Sequence, residues 1–193
     1  MTTAEPRTVF FIGKPGCGKG TQAKLLAQKT GWTVLASGAQ FRAIAEEDTI
    51  VGRKVREELG NGFLMPHWFA MYLYQKALFS VHENTSVIFD GFNRKPEEAQ
   101  LIVDSLKWIG REFVVINIAV SDEHVKERLV GRAQIEGRSD DRQDAVLERL
   151  EEFGTYTSKA LELFEKLGVL ITINGEQTPE EVAHDVNAAL GLV

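Results

Sequence analysis

The chain has 193 residues, 44% of them hydrophobic, and 28 acidic side chains against 22 basic ones give a net charge of −6. That length suits one domain with small inserted lobes, and the acidic balance argues against a surface that follows a nucleic-acid backbone. No segment is long and apolar enough to span a membrane, and the single cysteine, Cys17, excludes an internal disulfide and a multi-cysteine zinc site. Residues 1–7 have neither the basic start nor the apolar run of a secretory signal. They are expected to be a short tail, in keeping with a reduced, cytoplasmic setting.

In chain order, an apolar run at 9–12 predicts a first strand, and the amphipathic stretch 19–29 predicts a helix. Between them stands Gly13-Lys-Pro-Gly-Cys-Gly-Lys-Gly-Thr-Gln22. Strand, glycine-rich turn and helix form the setting in which backbone N–H groups curl around a phosphate and the helix N-terminus adds partial positive charge. Lys19 is placed to reach the outer phosphates as a point charge, so a nucleoside triphosphate is the expected ligand. A second strand is predicted at 32–36, followed by helices near 38–46, 50–59 and 67–80. A third strand at 86–90 ends in Asp90, a carboxylate expected beside the loop, where it could hold magnesium through water. A helix near 96–108, a strand at 113–119 and a helix near 122–131, capped by Ser121 or Asp122, come next. A long helix at 141–167 is expected to stop at Gly168, a fifth strand falls at 169–173, and Thr178-Pro-Glu-Glu181 opens a last helix at 179–190.

The strands are short, continuous and rich in Val, Ile and Phe, as strands covered on both faces should be. Alternation with helices predicts an α/β fold with a parallel sheet in three layers. Segments 38–66 and 132–141 fit the sheet poorly and read as insertions able to move as lids. Arg128, Arg132, Arg138, Arg142 and Arg149 crowd one stretch of an acidic chain, which points to a small polyanion such as phosphate. His67, His82, His124 and His184 have no metal-ligand spacing. Trp32, Trp68 and Trp108 lie in apolar-periodic segments and are expected in the core. Cys17, at a helix start, reads as a small residue tolerated under a phosphate.

Four motifs in order give the chain a resemblance to the adenylate kinase family of nucleoside monophosphate kinases, short-lid type, over about residues 8–190. Gly18-Lys-Gly-Thr-Gln22 resembles that family's loop, with Gly20 where other phosphate loops place Ser or Thr. Leu35-Ala-Ser-Gly-Ala-Gln-Phe-Arg42 resembles its Ser-Thr-Gly-Asp-x-(Leu/Phe)-Arg segment, and Gly62-Phe-Leu-Met-Pro66 its Gly-x-Leu-Val-Pro turn. Asp90-Gly-Phe-Asn-Arg94 resembles Asp-Gly-(Phe/Tyr)-Pro-Arg, and the stretch from Glu127 to Asp141 resembles its short lid.

The resemblance implies a P-loop fold with a central five-stranded parallel sheet, a helical monophosphate-binding lobe at 37–66 and a short lid at 131–141. It implies reversible transfer of the ATP γ-phosphoryl group to a nucleoside monophosphate, AMP foremost, by a monomer using Mg2+ near Asp90 and no zinc. Gly16, Cys17, Gly18, Lys19, Gly20, Thr21, Arg128 and Gln177 would then bind ATP. Ser37, Arg42, Phe63, Leu64, Met65, Gly91, Arg94 and Glu98 would bind the monophosphate. Arg138 and Arg149 would also bind the monophosphate, and Lys19, Arg94, Arg132, Arg138 and Arg149 would carry catalysis.

Three departures stand out. Ala39 replaces an acid, removing a carboxylate from the magnesium's outer surroundings. Asn93 replaces a proline that commonly follows a cis peptide; a cis bond before a non-proline residue costs about 3 kcal/mol, so a trans bond is expected here. Glu98 stands where adenylate kinases place an adenine-pairing glutamine, and an ionised carboxylate only accepts hydrogen bonds. The base therefore stays open between AMP and another monophosphate such as UMP or CMP. A nucleotide-binding module without catalysis is the other reading, although Lys19, Asp90 and the lid arginines are all retained.

Overall fold

A computed structural model describes residues 7–61, 63, 65–136, 147 and 150–192. Its sheet has five parallel strands: β1 (Thr8–Ile12), β2 (Thr33–Ala36), β3 (Val87–Asp90), β4 (Phe113–Ala119) and β5 (Leu170–Asn174). They lie in the order β2-β3-β1-β4-β5. Each predicted strand lies within one residue of its expected place. The runs could be located because β1 is buried along its whole length. Successive side chains of a strand point to opposite faces, and both faces of β1 are covered. Phe10 and Ile12 join a core shared with Phe89 and Phe92, while Val9 and Phe11 join a second core with Ile88 and Ile116. Phe10 and Phe89 stack at 4.9 Å across neighbouring strands. Burying each such side chain is worth about 1.5–3 kcal/mol. The edge strands β2 and β5 are only partly covered.

The described helices are α1 (Lys19–Thr30), α2 (Ser37–Glu46), α3 (Ile50–Gly60), α4 (His67–Leu78), α5 (Pro96–Trp108), α6 (Asp122–Glu136), α7 (Ser158–Lys166) and α8 (Pro179–Ala189). Helices α2, α4, α5 and α7 contribute to the first core, and α1, α6 and α8 to the second. Several ends follow the expected caps. Ser121 Oγ accepts from the His124 amide, Gly168 takes φ +69° after α7, and Thr178 and Glu181 form a reciprocal capping box.

Two expectations need correction. Trp68 is 65% exposed and Trp108 81% exposed, so neither is core; Trp32 is half-buried against the second core. Helix α4 is apolar around most of its circumference, and Ala70, Met71, Tyr74 and Leu78 take its inner face. Trp68 is left outside, stacked on Phe69. Trp108 is the last residue of α5, beyond Leu106, the final buried side chain of that helix. The segment read as one helix at 141–167 contains, in its described part, a π-helical turn at Phe153–Thr157 immediately before α7.

Strand β1 pairs with β3 on one side and β4 on the other, and the chain leaves β1 toward one side of the sheet and β3 toward the other. The crevice at such a switch point, outside the carboxyl ends of the strands, is where open α/β sheets hold ligands. The glycine-rich loop opens there.

Candidate active site

Residues 13–18 link β1 to α1, and α1 begins on Gly18, at φ +102°, which has no side chain to cap it. Elsewhere Thr49 and Thr178 cap α3 and α8 through their hydroxyls. The first-turn amides of α1 are therefore available to an anion in front of the loop. Lys19 folds over its own loop, its Nζ donating to Gly13 O and Lys14 O at 2.7 Å each. The Cys17 thiol is buried, 2% exposed, and turned into the second core rather than toward the cleft. On the far wall Arg128 of α6 donates to Cys17 O at 3.3 Å and to Gly175 O at 2.9 Å, joining the loop to the end of β5.

The cleft in front of the loop encloses about 480 Å³. Asp90 ends β3 opposite Phe11 of β1 and Ala36 of β2, and its Oδ2 lies 3.4 Å from where a Cβ of residue 20 would stand. The carboxylate thus stands against the start of α1 at ordinary contact distance. Ser37, 3% exposed, and Arg42 bring α2 to the cleft, and Phe63 and Met65 line it. Gly91, at φ +79°, follows Asp90. A Cβ there would meet Ser37 Oγ and Arg94 Nη2, each at 2.8 Å, so glycine is what allows those two side chains to converge.

After Gly91 the chain turns through Phe92 and Asn93. Every described peptide is trans, as expected, and Asn93 takes φ +64°. Arg94 still faces the cleft, its Nε donating to Gly91 O at 2.8 Å. Glu98, also in the cleft wall and 3% exposed, accepts through Oε2 from the Arg94 amide at 2.8 Å and the Lys95 amide at 3.3 Å. Burial pushes its carboxyl up from the usual 4.5, against the opposing pull of these two amides and of the Arg94 and Lys95 charges.

The sign of the resulting pH effect follows from proton binding. Between 4.5 and the raised folded value, the unfolded chain has released a proton that the folded chain keeps. Glu98 therefore costs stability as pH rises through that window. Glu98→Gln keeps an acceptor oxygen and cannot ionise. Its stability relative to the wild type is expected to increase from pH 4 upward, read from denaturant midpoints at each pH. Parallel curves for the two proteins would contradict this.

Lys19, Arg42, Arg94 and Arg128 thus meet at one cleft with Asp90 and Glu98, a set suited to gathering polyanions. Gly16, Gly18, Gly20 and Thr21 also line it. Gln177 does not: its amide donates to Asn174 O and to Asp185 Oδ2. Leu64, Arg138 and Arg149 lie outside the described residues, as does Arg142, and of Arg132 only the backbone is described, in α6. The lining residues not marked by the sequence are Lys24, Val34, Leu59 and Ala70, together with Phe153 and Thr157 of the π-helical turn. Gly154 inside a helical pattern was the available signal of irregularity. Among the described residues no three His, Cys, Asp or Glu side chains gather as a metal cluster, and no helix is long and apolar enough to cross a membrane.

The family model described as adenylate kinase matches residues 11–169. An adenylate kinase of Thermus thermophilus is 36% identical over 187 residues, 96% of this chain and 98% of that protein. One from Maricaulis maris is 34% identical over 94% of this chain and 97% of its own length. Adenylate kinase 1 of a Nostoc species is 33% identical over 95% and 98%.

Proposed function

The chain belongs to the adenylate kinase family, and from that premise we propose that it transfers the γ-phosphoryl group of ATP to AMP, reversibly, giving two ADP. The chain is a phosphotransferase, a nucleoside monophosphate kinase; AMP as the acceptor and the roles of individual residues are our reading. The observation that carries it is one cleft in which the phosphate loop and Arg128 face Ser37, Arg42 and Arg94 across Asp90.

On this reading Lys19, the α1 N-terminus and Arg128 hold ATP with Gly16, Cys17, Gly18, Gly20, Thr21 and, less directly, Gln177. Ser37, Phe63, Leu64, Met65, Gly91 and Glu98 surround the acceptor nucleoside, and Arg42 and Arg94 grip its phosphate. Arg132 and Arg138 close over the phosphates from a short lid at 131–141, joined by Arg149 beyond it, and 37–66 forms the monophosphate lobe. The acceptor's phosphate oxygens are already largely anionic near neutral pH, so no general base is required. The task is to bring two polyanions together in line and to neutralise charge on the transferred group. An open, wet site would pass the phosphoryl group to water, which is why arginines belong on parts that close.

Mg2+ fits the donor set: Asp90 offers a hard carboxylate oxygen beside the loop, at the wall of the open cleft where an ion that keeps much of its water has room. Asp90 would hold it, and when bound it would supply positive charge to the phosphates. A monomer in the cytoplasm completes the proposal.

The test is steady-state ADP formation from ATP with AMP, GMP, CMP, UMP and their deoxy forms. AMP is expected to give the highest kcat/KM. A higher value with a pyrimidine monophosphate would overturn the acceptor assignment and place the base preference on Ser37 and Glu98.

A further inference from the structure

We propose that Thr157 is a positioning residue that, with Glu98, clamps the backbone of Arg94 and so aims its guanidinium at the acceptor phosphate. The proposal rests on the role given to Arg94 above. It starts from the turn before Arg94, which has no proline to stiffen it. Asn93 instead occupies the left-handed region at φ +64°, which proline cannot adopt and asparagine tolerates better than most residues with a side chain. Its side-chain amide does not brace the turn: Asn93 is fully buried, and among the described residues neither Oδ1 nor Nδ2 has a hydrogen-bond partner. The bonds that fix the turn come from outside it.

Both backbone groups of Arg94 are held in this way. Its amide donates to Glu98 Oε2 at 2.8 Å, and its carbonyl accepts from Thr157 Oγ1 at 3.0 Å, a contact between residues 63 apart in sequence. A neighbour of each residue reinforces the contact, with Lys95 Nζ lying 5.2 Å from the centre of the Tyr156 ring. Thr157 is 2% exposed and lines the same cleft as Arg94, so its hydroxyl works in a low-dielectric setting. The π-helical turn carries both residues, and such turns recur at functional sites. Gly91 O, which accepts from Arg94 Nε, is the third point of attachment.

A buried threonine could instead merely satisfy its hydroxyl on the nearest carbonyl and add stability alone. Kinetics separates the two. Thr157→Val keeps the shape and removes the donor. It is expected to raise KM for AMP about fivefold to tenfold and to lower kcat, leaving KM for ATP within about twofold. Thr157→Ser, which keeps the hydroxyl, should stay within about twofold of wild type throughout.

In an Arg94→Ala background, Thr157→Val should add less than about twofold, because a positioning residue has nothing left to aim. Assays run well below the melting temperature of every variant. A Thr157→Val protein that melts earlier but keeps wild-type KM and kcat, while Arg94→Ala is crippled, would overturn the clamp alone. Wild-type kinetics in Arg94→Ala would overturn both the clamp and the reading of Arg94 on which it rests.

Discussion

Arg94→Ala is expected to lower turnover about a hundredfold or more, close to 3 kcal/mol of transition-state stabilisation, with the fold intact. The guanidinium lies at the junction of the two halves of the cleft, beside Ser37 Oγ and fixed by one bond to Gly91 O. A phosphate gripped there must be held against the repulsion of a second polyanion, and only a fixed positive charge repays that cost as the two approach. The backbone bonds of residue 94 to Glu98 and Thr157 do not depend on its side chain, so truncation leaves the turn closed. Gly91 O loses a partner at the cleft wall, where water can replace it. The measurement is kcat at saturating ATP and AMP beside a thermal melt. Near-normal turnover in a folded protein would remove Arg94 from the machinery.

Why Arg94 stands out in the sequence while the contacts that hold it do not is a matter of range. The loop at 13–22, the strand-end Asp90 and the turn to Arg94 are contiguous motifs, and each carries its chemistry within a few residues. The strands were legible for a related reason: a continuous apolar run bounded by turns marks a strand covered on both faces, as β1 and β3 are. Helix ends were legible where a side chain caps them, as at Ser121 and Thr178.

Thr157 touches Arg94 only because α7 packs beside α5 in the folded chain, and no local pattern announces a contact of that span. Trp68 failed for a different reason. Helix α4 carries more apolar residues than its inner face accommodates, so periodicity marked the helix without choosing which residues it buries. Glu98 was read through its chemistry toward a base, whereas its Oε2 serves the start of α5 by accepting from the Arg94 and Lys95 amides. The role toward the acceptor proposed for it is what the monophosphate panel tests.

Lys19→Met is expected to cost more than Arg94→Ala, about a thousandfold in kcat/KM for ATP, or roughly 4 kcal/mol. Methionine preserves the bulk and flexibility of the stem while removing the ammonium. Two consequences of that removal act in the same direction. The charge that would meet the outer phosphates is lost, and so is the donor to Gly13 O and Lys14 O that draws the loop together. Gly13 borders the cleft, and water can satisfy the freed carbonyls of this loop, so the melting temperature should change little while the loop loses its fixed shape. Arginine at the same position retains charge but replaces a compact ammonium with a planar fork. Such a group cannot donate to both carbonyls and still present a point charge to a phosphate, so Lys19→Arg should restore less than a tenth of the lost activity. A Lys19→Met enzyme within tenfold of wild type would show that the loop's backbone amides and the α1 N-terminus hold the transferred phosphate without it.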